Sequence, residues 1–387
     1  MRQMRISNVK EGMILGETLR GKNGGILLSA GNILKANFIS RIEQEGYNFI
    51  TIDDHTDTLI SFPECLSQEQ KKEAIDAIKN LNIDTGSQII GGNLDKVALS
   101  IVETIAHNND IAFDLLDIRN DSDYCYFHSL ATAELSIAIA QEYRNQENNR
   151  IYNIDYLGNI ATAALLMNIG ESCKNDKVRK NLDIKNEKII NIENYNKFDV
   201  PEYGHSLTHK AYSINNYAVI SSAILYSKTN ENGTNCPTGR EESYNNYKKN
   251  KDRVIPKILH VADWYTNLVI QKKENGKARN PAEAMEIILG ASGKAFDMKV
   301  VDVFLHYVAI YPIGIDVLLS NGEHAMVVGN NLGADGYNYR PIVQTEDGNV
   351  YNLMDKECRN LTIIPDDTRI EEDEKKVDDT FKYGIAR

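Results

Sequence analysis

Long apolar runs are missing from this 387-residue chain. Nowhere do about 18 uncharged apolar residues stand together, so the sequence offers no membrane span. The opening residues, Met1-Arg2-Gln3-Met4-Arg5-Ile6, lack the apolar core of a secretory signal. Paired cysteine is missing too. The five cysteines (Cys65, Cys125, Cys173, Cys236, Cys358) are scattered, odd in number and without C-x-x-C spacing. That pattern speaks against a zinc ribbon or a disulfide framework and fits a reducing cytoplasm. Nor is there a surplus of basic charge. A net charge of −12 argues against nucleic acid or an anionic membrane as a bulk partner, while leaving room for a local anion pocket. What is present is ordinary: 42% hydrophobic and 25% charged residues, enough chain for two or three domains around a sizeable core. The expectation is a cytoplasmic protein that neither enters a membrane nor binds nucleic acid.

Along the chain the hydrophobic period changes twice. Residues 1–55 read as a small β-containing unit. Glycine turns at Gly12 and Gly24-Gly25 separate short strands such as Ile26-Leu27-Leu28 and Phe49-Ile50-Thr51-Ile52, with a helical stretch from Asn37 to Gly46 between. Residues 56–93 form a polar connector with one helix, Ser67 to Leu81. Residues 94–308 are almost wholly helical in pattern: Leu94 onward, Leu130–Tyr143, Tyr156–Ile169, Tyr212–Tyr226, Val254–Ile270 and Pro281–Leu289. Two insertions rich in Asn, Lys and Tyr, Cys173–Asp199 and Thr238–Arg253, read as solvated loops. Residues 309–366 return to strands, with an Asn321-Gly322 hairpin and a second turn at Asp347-Gly348. Residues 367–387 carry Glu371-Glu372-Asp373-Glu374 and read as an acidic tail. The fold class expected is mainly α, a helical bundle flanked by small β-containing N- and C-terminal units.

One segment of the bundle, Ala163-Ala164-Leu165-Leu166-Met167-Asn168-Ile169-Gly170-Glu171, resembles the A-x-L-L-H-D-I-G-K motif of HD-type phosphohydrolases. The helical region as a whole resembles the HD-GYP family, bacterial phosphodiesterases that cleave cyclic di-GMP with a cluster of metal ions. The string Phe296-Asp297 to Phe304, Tyr311-Pro312-Ile313-Gly314 and Leu319-Ser320-Asn321-Gly322-Glu323 is also family-like. The resemblance implies an HD-type bundle, divalent iron or manganese, and a homodimer.

Carried over residue by residue, the ligand positions mostly fail. Asp123-Tyr124-Cys125-Tyr126-Phe127-His128-Ser129 fits Y-x-x-H-S and keeps His128. The His-Asp pair is Met167-Asn168, and the lysine beyond it is Glu171. The H-P-x-x-G-Y segment corresponds to Val200-Pro201-Glu202-Tyr203-Gly204-His205, with Val200 at the ligand position. The H-H-E block corresponds to Ser227-Lys228-Thr229, and Ile258-Leu259-His260-Val261-Ala262-Asp263-Trp264-Tyr265 keeps Asp263. A thioether and a carboxamide are poor substitutes for an imidazole and a bridging carboxylate at hard divalent ions, and Lys228 would repel a cation.

Three readings follow. The first is a catalytically inactive HD-GYP-like module, binding or regulatory, in bacterial cyclic-dinucleotide signalling. It would hold no metal and keep a residual pocket lined by His128, Asn168, Lys228 and Asp263, its partner a cyclic dinucleotide or a signalling protein. The second is a phosphodiesterase with a rebuilt iron or manganese site that recruits His205, His209 or His260 beside His128 and Asp263. His205 and His209 stand four apart, and His260 one turn before Asp263. The third is a scaffold without a nucleotide ligand. Each retained residue also has a structural role open to it: His128 filling a core gap, Asp263 hydrogen-bonded within the core, His205 and His209 solvated.

Overall fold

The computed structural model describes residues 2–6, 9–20, 26–45, 47, 49–53, 66–79, 82–84, 88–90, 93–107, 124–146, 154–170, 200–209, 214–237, 240–249, 253–269, 281–307, 309, 311, 313, 315–331, 340–345 and 347–364. Glu171, the Cys173–Asp199 insertion and the acidic tail lie outside them. The chain is mainly helical, with small antiparallel sheets before and after the helices.

The N-terminal sheet has the order β1 (Arg2–Arg5), β5 (Phe49–Asp53), β2 (Ile14–Leu15), all antiparallel, and β3 (Leu19–Arg20) pairs separately with β4 (Ile26–Leu28). The helix Ala36–Gln44 buries Ile42 with Met4, Leu15, Leu34, Ile50 and Ile52 in a core of its own. Next comes the helix Gln68–Lys79, begun by a reciprocal cap. Ser67 Oγ accepts from Gln70 N (3.2 Å) while Gln70 Oε1 accepts from Ser67 N (3.1 Å). A short antiparallel pair, β6 (Asn82–Asp84) and β7 (Gln88–Ile90), follows where the sequence suggested only connector.

The bundle is organised by the helix Tyr124–Gln146. It packs against Ile154–Leu166, Val254–Val269 and Met298–Tyr307, and every residue from Thr132 to Ala140 is buried. Burial on all sides is what a helix at the centre of a bundle requires, and Ala133, Ala138 and Ala140 let its neighbours approach closely. Among the described residues no helix is long and apolar enough to cross a membrane.

The C-terminal sheet has the order β11 (Val350–Asn352), β10 (Ile342–Thr345), β9 (His324–Gly329), β8 (Asp316–Leu319), β12 (Ile363–Ile364). Its inward residues Val317, Leu319, Ala325, Val327 and Val343 continue the helical core. The β8–β9 turn puts Gly322 at φ +86°, with Leu319 N donating to Glu323 O and Gly322 N to Leu319 O. That is the longer hairpin with a left-handed glycine, not a two-residue Asn-Gly turn, because Asn321 keeps a negative φ.

The stretch Thr238–Arg253 corrects the expectation of a loop: Glu241–Tyr247 is a helix. Tyr244 and Tyr247, three apart on one face, bring their rings to 5.1 and 5.0 Å from that of Tyr226, with Cys236 packed alongside. The polar composition concealed this satellite core.

A lysine latch ties the bundle together. Lys257 Nζ lies 2.7 Å from Asp297 Oδ2 and 2.9 Å from Glu231 Oε2. Asp297 also caps its helix, its Oδ1 accepting from Lys299 N and Val300 N at 3.0 and 3.1 Å. Burial pushes the Asp297 carboxyl up, but the Lys257 and backbone hydrogen bonds outweigh it and hold the group below 3.8. Burial likewise pulls Lys257 down, yet its two carboxylate partners keep it above 10.5. A carboxyl with a lowered folded value stabilises above its unfolded value and stops doing so as pH falls through the folded one. A lysine with a raised folded value stabilises below its unfolded value and stops as pH rises through the folded one. Lys257→Met is therefore expected to cost about 1–2 kcal/mol at pH 7, discounted because the three side chains are partly exposed. Urea unfolding should show that cost shrinking below pH 4 and above pH 11.

Candidate functional site

Four segments bring polar side chains to one place in the bundle. His128 comes from the central helix, Asn168 from the turn after Ile154–Leu166, Lys228 from the turn after Tyr217–Tyr226, and Asp263 from mid-helix in Val254–Val269. Their convergence follows from the central helix packing against the helices on both sides of it. His128 is 2% exposed and Asp263 3%, so neither is bathed by solvent.

Asn168 Nδ2 is 3.0 Å from His128 Nδ1. The amide donates, so the ring proton is assigned to Nε2, which faces Asp263 Oδ1 at 3.4 Å. That contact is electrostatic only: neither Nε2 nor Oδ1 meets the geometry of a regular hydrogen bond. Lys228 Nζ stands 3.9 Å from Asp263 Oδ2, on the more open side of the group. The cluster thus runs amide, imidazole, carboxylate, ammonium, and a neutral imidazole leaves its charges balanced.

The remaining positions singled out in the sequence are accounted for as follows. Met167 and Val200 are buried and apolar. Ser227 is buried, its Oγ donating to Ile224 O at 2.8 Å. Thr229 is buried, with its N–H on Tyr226 O. His260 lies beside the cluster without joining it. Its ring hydrogen-bonds the Thr229 backbone and meets Phe296 edge-on at 5.0 Å. Burial pulls its pKa to about 4, Asp263 opposing and Lys228 reinforcing.

His205 and His209 both meet Ser221. His205 Nδ1 is 3.0 Å from Ser221 O, and His209 Nδ1 is 3.4 Å from Ser221 Oγ. Their rings face each other at 5.3 Å, and the His209 ring meets Tyr217 edge-on at 6.0 Å. Burial lowers the His205 pKa, against a raising hydrogen bond to Ser221 O. Ser221 on the helix Tyr217–Tyr226 thus holds the Nδ1 side of both rings. Sequence reading had no signal for Ser221 and missed Phe296 as the neighbour of His260.

The chain matches no family model and no curated protein. Among solved structures it is similar to Bd1817, a HDG"Y"P protein from Bdellovibrio bacteriovorus. The two are 14% identical, with a TM-score of 0.43 over 78% of this chain and 97% of that one.

The metal cluster implied by the family resemblance can be tested against the donors in place. His128 offers Nδ1 to Asn168 and carries its proton toward Asp263. Asp263 shares its carboxylate with an ammonium, and Lys228 would meet any dication with like charge. Among the described residues no group of three or more His, Cys, Asp and Glu side chains is arranged to hold an ion. This donor set does not fit a cluster of divalent metals.

Proposed function

We propose that this protein is a non-catalytic, HD-GYP-like binding or regulatory module of bacterial cyclic-dinucleotide signalling, working without a resident metal. The observation that carries the reading is the Lys228–Asp263 contact at 3.9 Å, with Asn168 on the opposite side of His128. Internal partners occupy the side chains that hydrolysis would need for metal ligation. A phosphodiester barrier falls in such enzymes because metals depress the pKa of an attacking water, and every tenfold in rate needs about 1.4 kcal/mol of transition-state stabilisation. An amide and an ammonium in place of the bridging carboxylate and a ligand supply neither the nucleophile nor the charge.

Incubation with cyclic di-GMP and manganese, followed by chromatography, is expected to leave the dinucleotide intact. Release of linear dinucleotide at a rate that follows protein concentration would overturn the reading. Equilibrium dialysis in parallel asks whether the dinucleotide is bound.

The same contact has a consequence for stability. Lys228→Met leaves the buried Asp263 carboxylate facing His128 without a cation. Loss of a partner from a fully buried pair costs about 3–5 kcal/mol, and the partial exposure of Lys228 reduces the expected cost to about 1–2 kcal/mol. Urea unfolding at pH 7 measures it. A change within error would mean that Lys228 does not neutralise Asp263.

A further inference from the structure

We propose that His205 and His209 form a two-imidazole chelate for a divalent transition metal of the copper–nickel class, on the face of the helix Val200–Thr208 that meets Tyr217–Tyr226. The helical bond from His209 N to His205 O (2.8 Å) carries the turn through His209 and keeps both rings on one face. Each Nδ1 is already committed. His205 Nδ1–H donates to Ser221 O, and His209 Nδ1–H to Ser221 Oγ, whose own hydrogen goes to Ala218 O at 3.2 Å. Both rings are thereby held in the tautomer that leaves Nε2 as a lone-pair donor. A backbone or hydroxyl acceptor on the far nitrogen is the arrangement that orients histidines toward metals.

The spacing also fits. Two imidazoles bound through Nε2 at about 2.0–2.1 Å around a tetrahedral ion place their ring centroids about 5 Å apart. The observed separation is 5.3 Å, with ring planes 33° from parallel. Tyr217 closes one side of His209 edge-on at 6.0 Å. Arg240 lies within electrostatic reach of His205 and works against a cation.

Two neutral nitrogens with no third His, Cys, Asp or Glu among the described residues do not make a structural zinc site, which calls for four ligands. They suit the ions that bind imidazole most strongly, with water or an incoming ligand in the open positions. His205 and His209 thus act apart from the His128–Asp263 cluster.

The test is a titration of the full chain with Cu²⁺ followed by electron paramagnetic resonance. One equivalent with hyperfine coupling to two imidazole nitrogens is expected. His209 is exposed, so His209→Gln should keep the fold by circular dichroism, and it should weaken Cu²⁺ binding at least about tenfold by removing the second donor of the chelate. Binding of equal strength in the folded variant would overturn the proposal. So would the absence of a two-nitrogen signal in the natural chain.

Discussion

Gly170→Ala is expected to destabilise the bundle by at least about 3 kcal/mol, at the upper end of what single substitutions do. A β-carbon at Gly170 would overlap the Val200 carbonyl oxygen and stand 2.9 Å from Gly204 N. Both obstacles are backbone, so no rotamer change relieves them. Either the turn carrying Asn168 or the start of the helix Val200–Thr208 has to move. Gly204→Ala makes a useful contrast. Its β-carbon would meet Ile224 Cγ2 at 2.9 Å, a side-chain methyl that can shift, so an overpacking cost of about 1–3 kcal/mol is expected. Chemical denaturation of the two variants should rank them in that order. Equal, small losses would mean that the two motif segments are not packed backbone to backbone. The displacement in Gly170→Ala should also part Asn168 from His128, so its histidine environment by NMR should change where that of Gly204→Ala does not.

Mild acid is expected to weaken the natural chain through His260. Its folded pKa of about 4 lies below the ordinary 6.5 because the ring is buried. Between those values the unfolded chain binds the proton and the folded chain does not, so stability rises with pH across the window and is lost as pH falls. Linkage over that interval gives a loss of about 2 kcal/mol between pH 7 and pH 5. His205, also lowered by burial, acts in the same direction. Urea unfolding of the natural chain and of His260→Gln at both pH values separates the His260 share. The variant should be less stable at pH 7, because a buried, packed ring is lost. It should fall less on acidification than the natural chain does. Parallel falls in the two proteins would remove His260 from the explanation.

Much of the architecture was written in local pattern. The period of apolar residues marks the helices of the bundle, and Pro281 marks the first residue of the helix Pro281–Gly290. The two turns at Gly322 and Gly348 separate the strand pairs that the sequence suggested. Contacts between residues far apart in the chain left no such trace. Lys257 reaches Glu231 and Asp297 across 26 and 40 positions, and nothing in the sequence pairs one lysine with those two carboxylates. Ser221 stands 16 residues from His205 and on another helix, so the fate of the two histidines depended on helix packing. The helix Glu241–Tyr247 was hidden by its Asn and Lys content, since two tyrosines suffice to anchor seven residues. At the site, the motif flanks brought attention to His128, Asn168, Lys228 and Asp263, and the four stand together. Which atoms face one another, and that Lys228 turns to Asp263, are facts of packing.

The most direct test of a centre without metal is the metal content of the full chain after anaerobic loading with excess iron or manganese and desalting. Both ions stand low in the order of affinity for imidazole, so the His205–His209 pair should release them on desalting. A stoichiometry near zero is expected. One or more ions per chain that survive desalting and disappear in Asp263→Asn would contradict it, and would mean that Lys228 yields its place beside Asp263 to a metal.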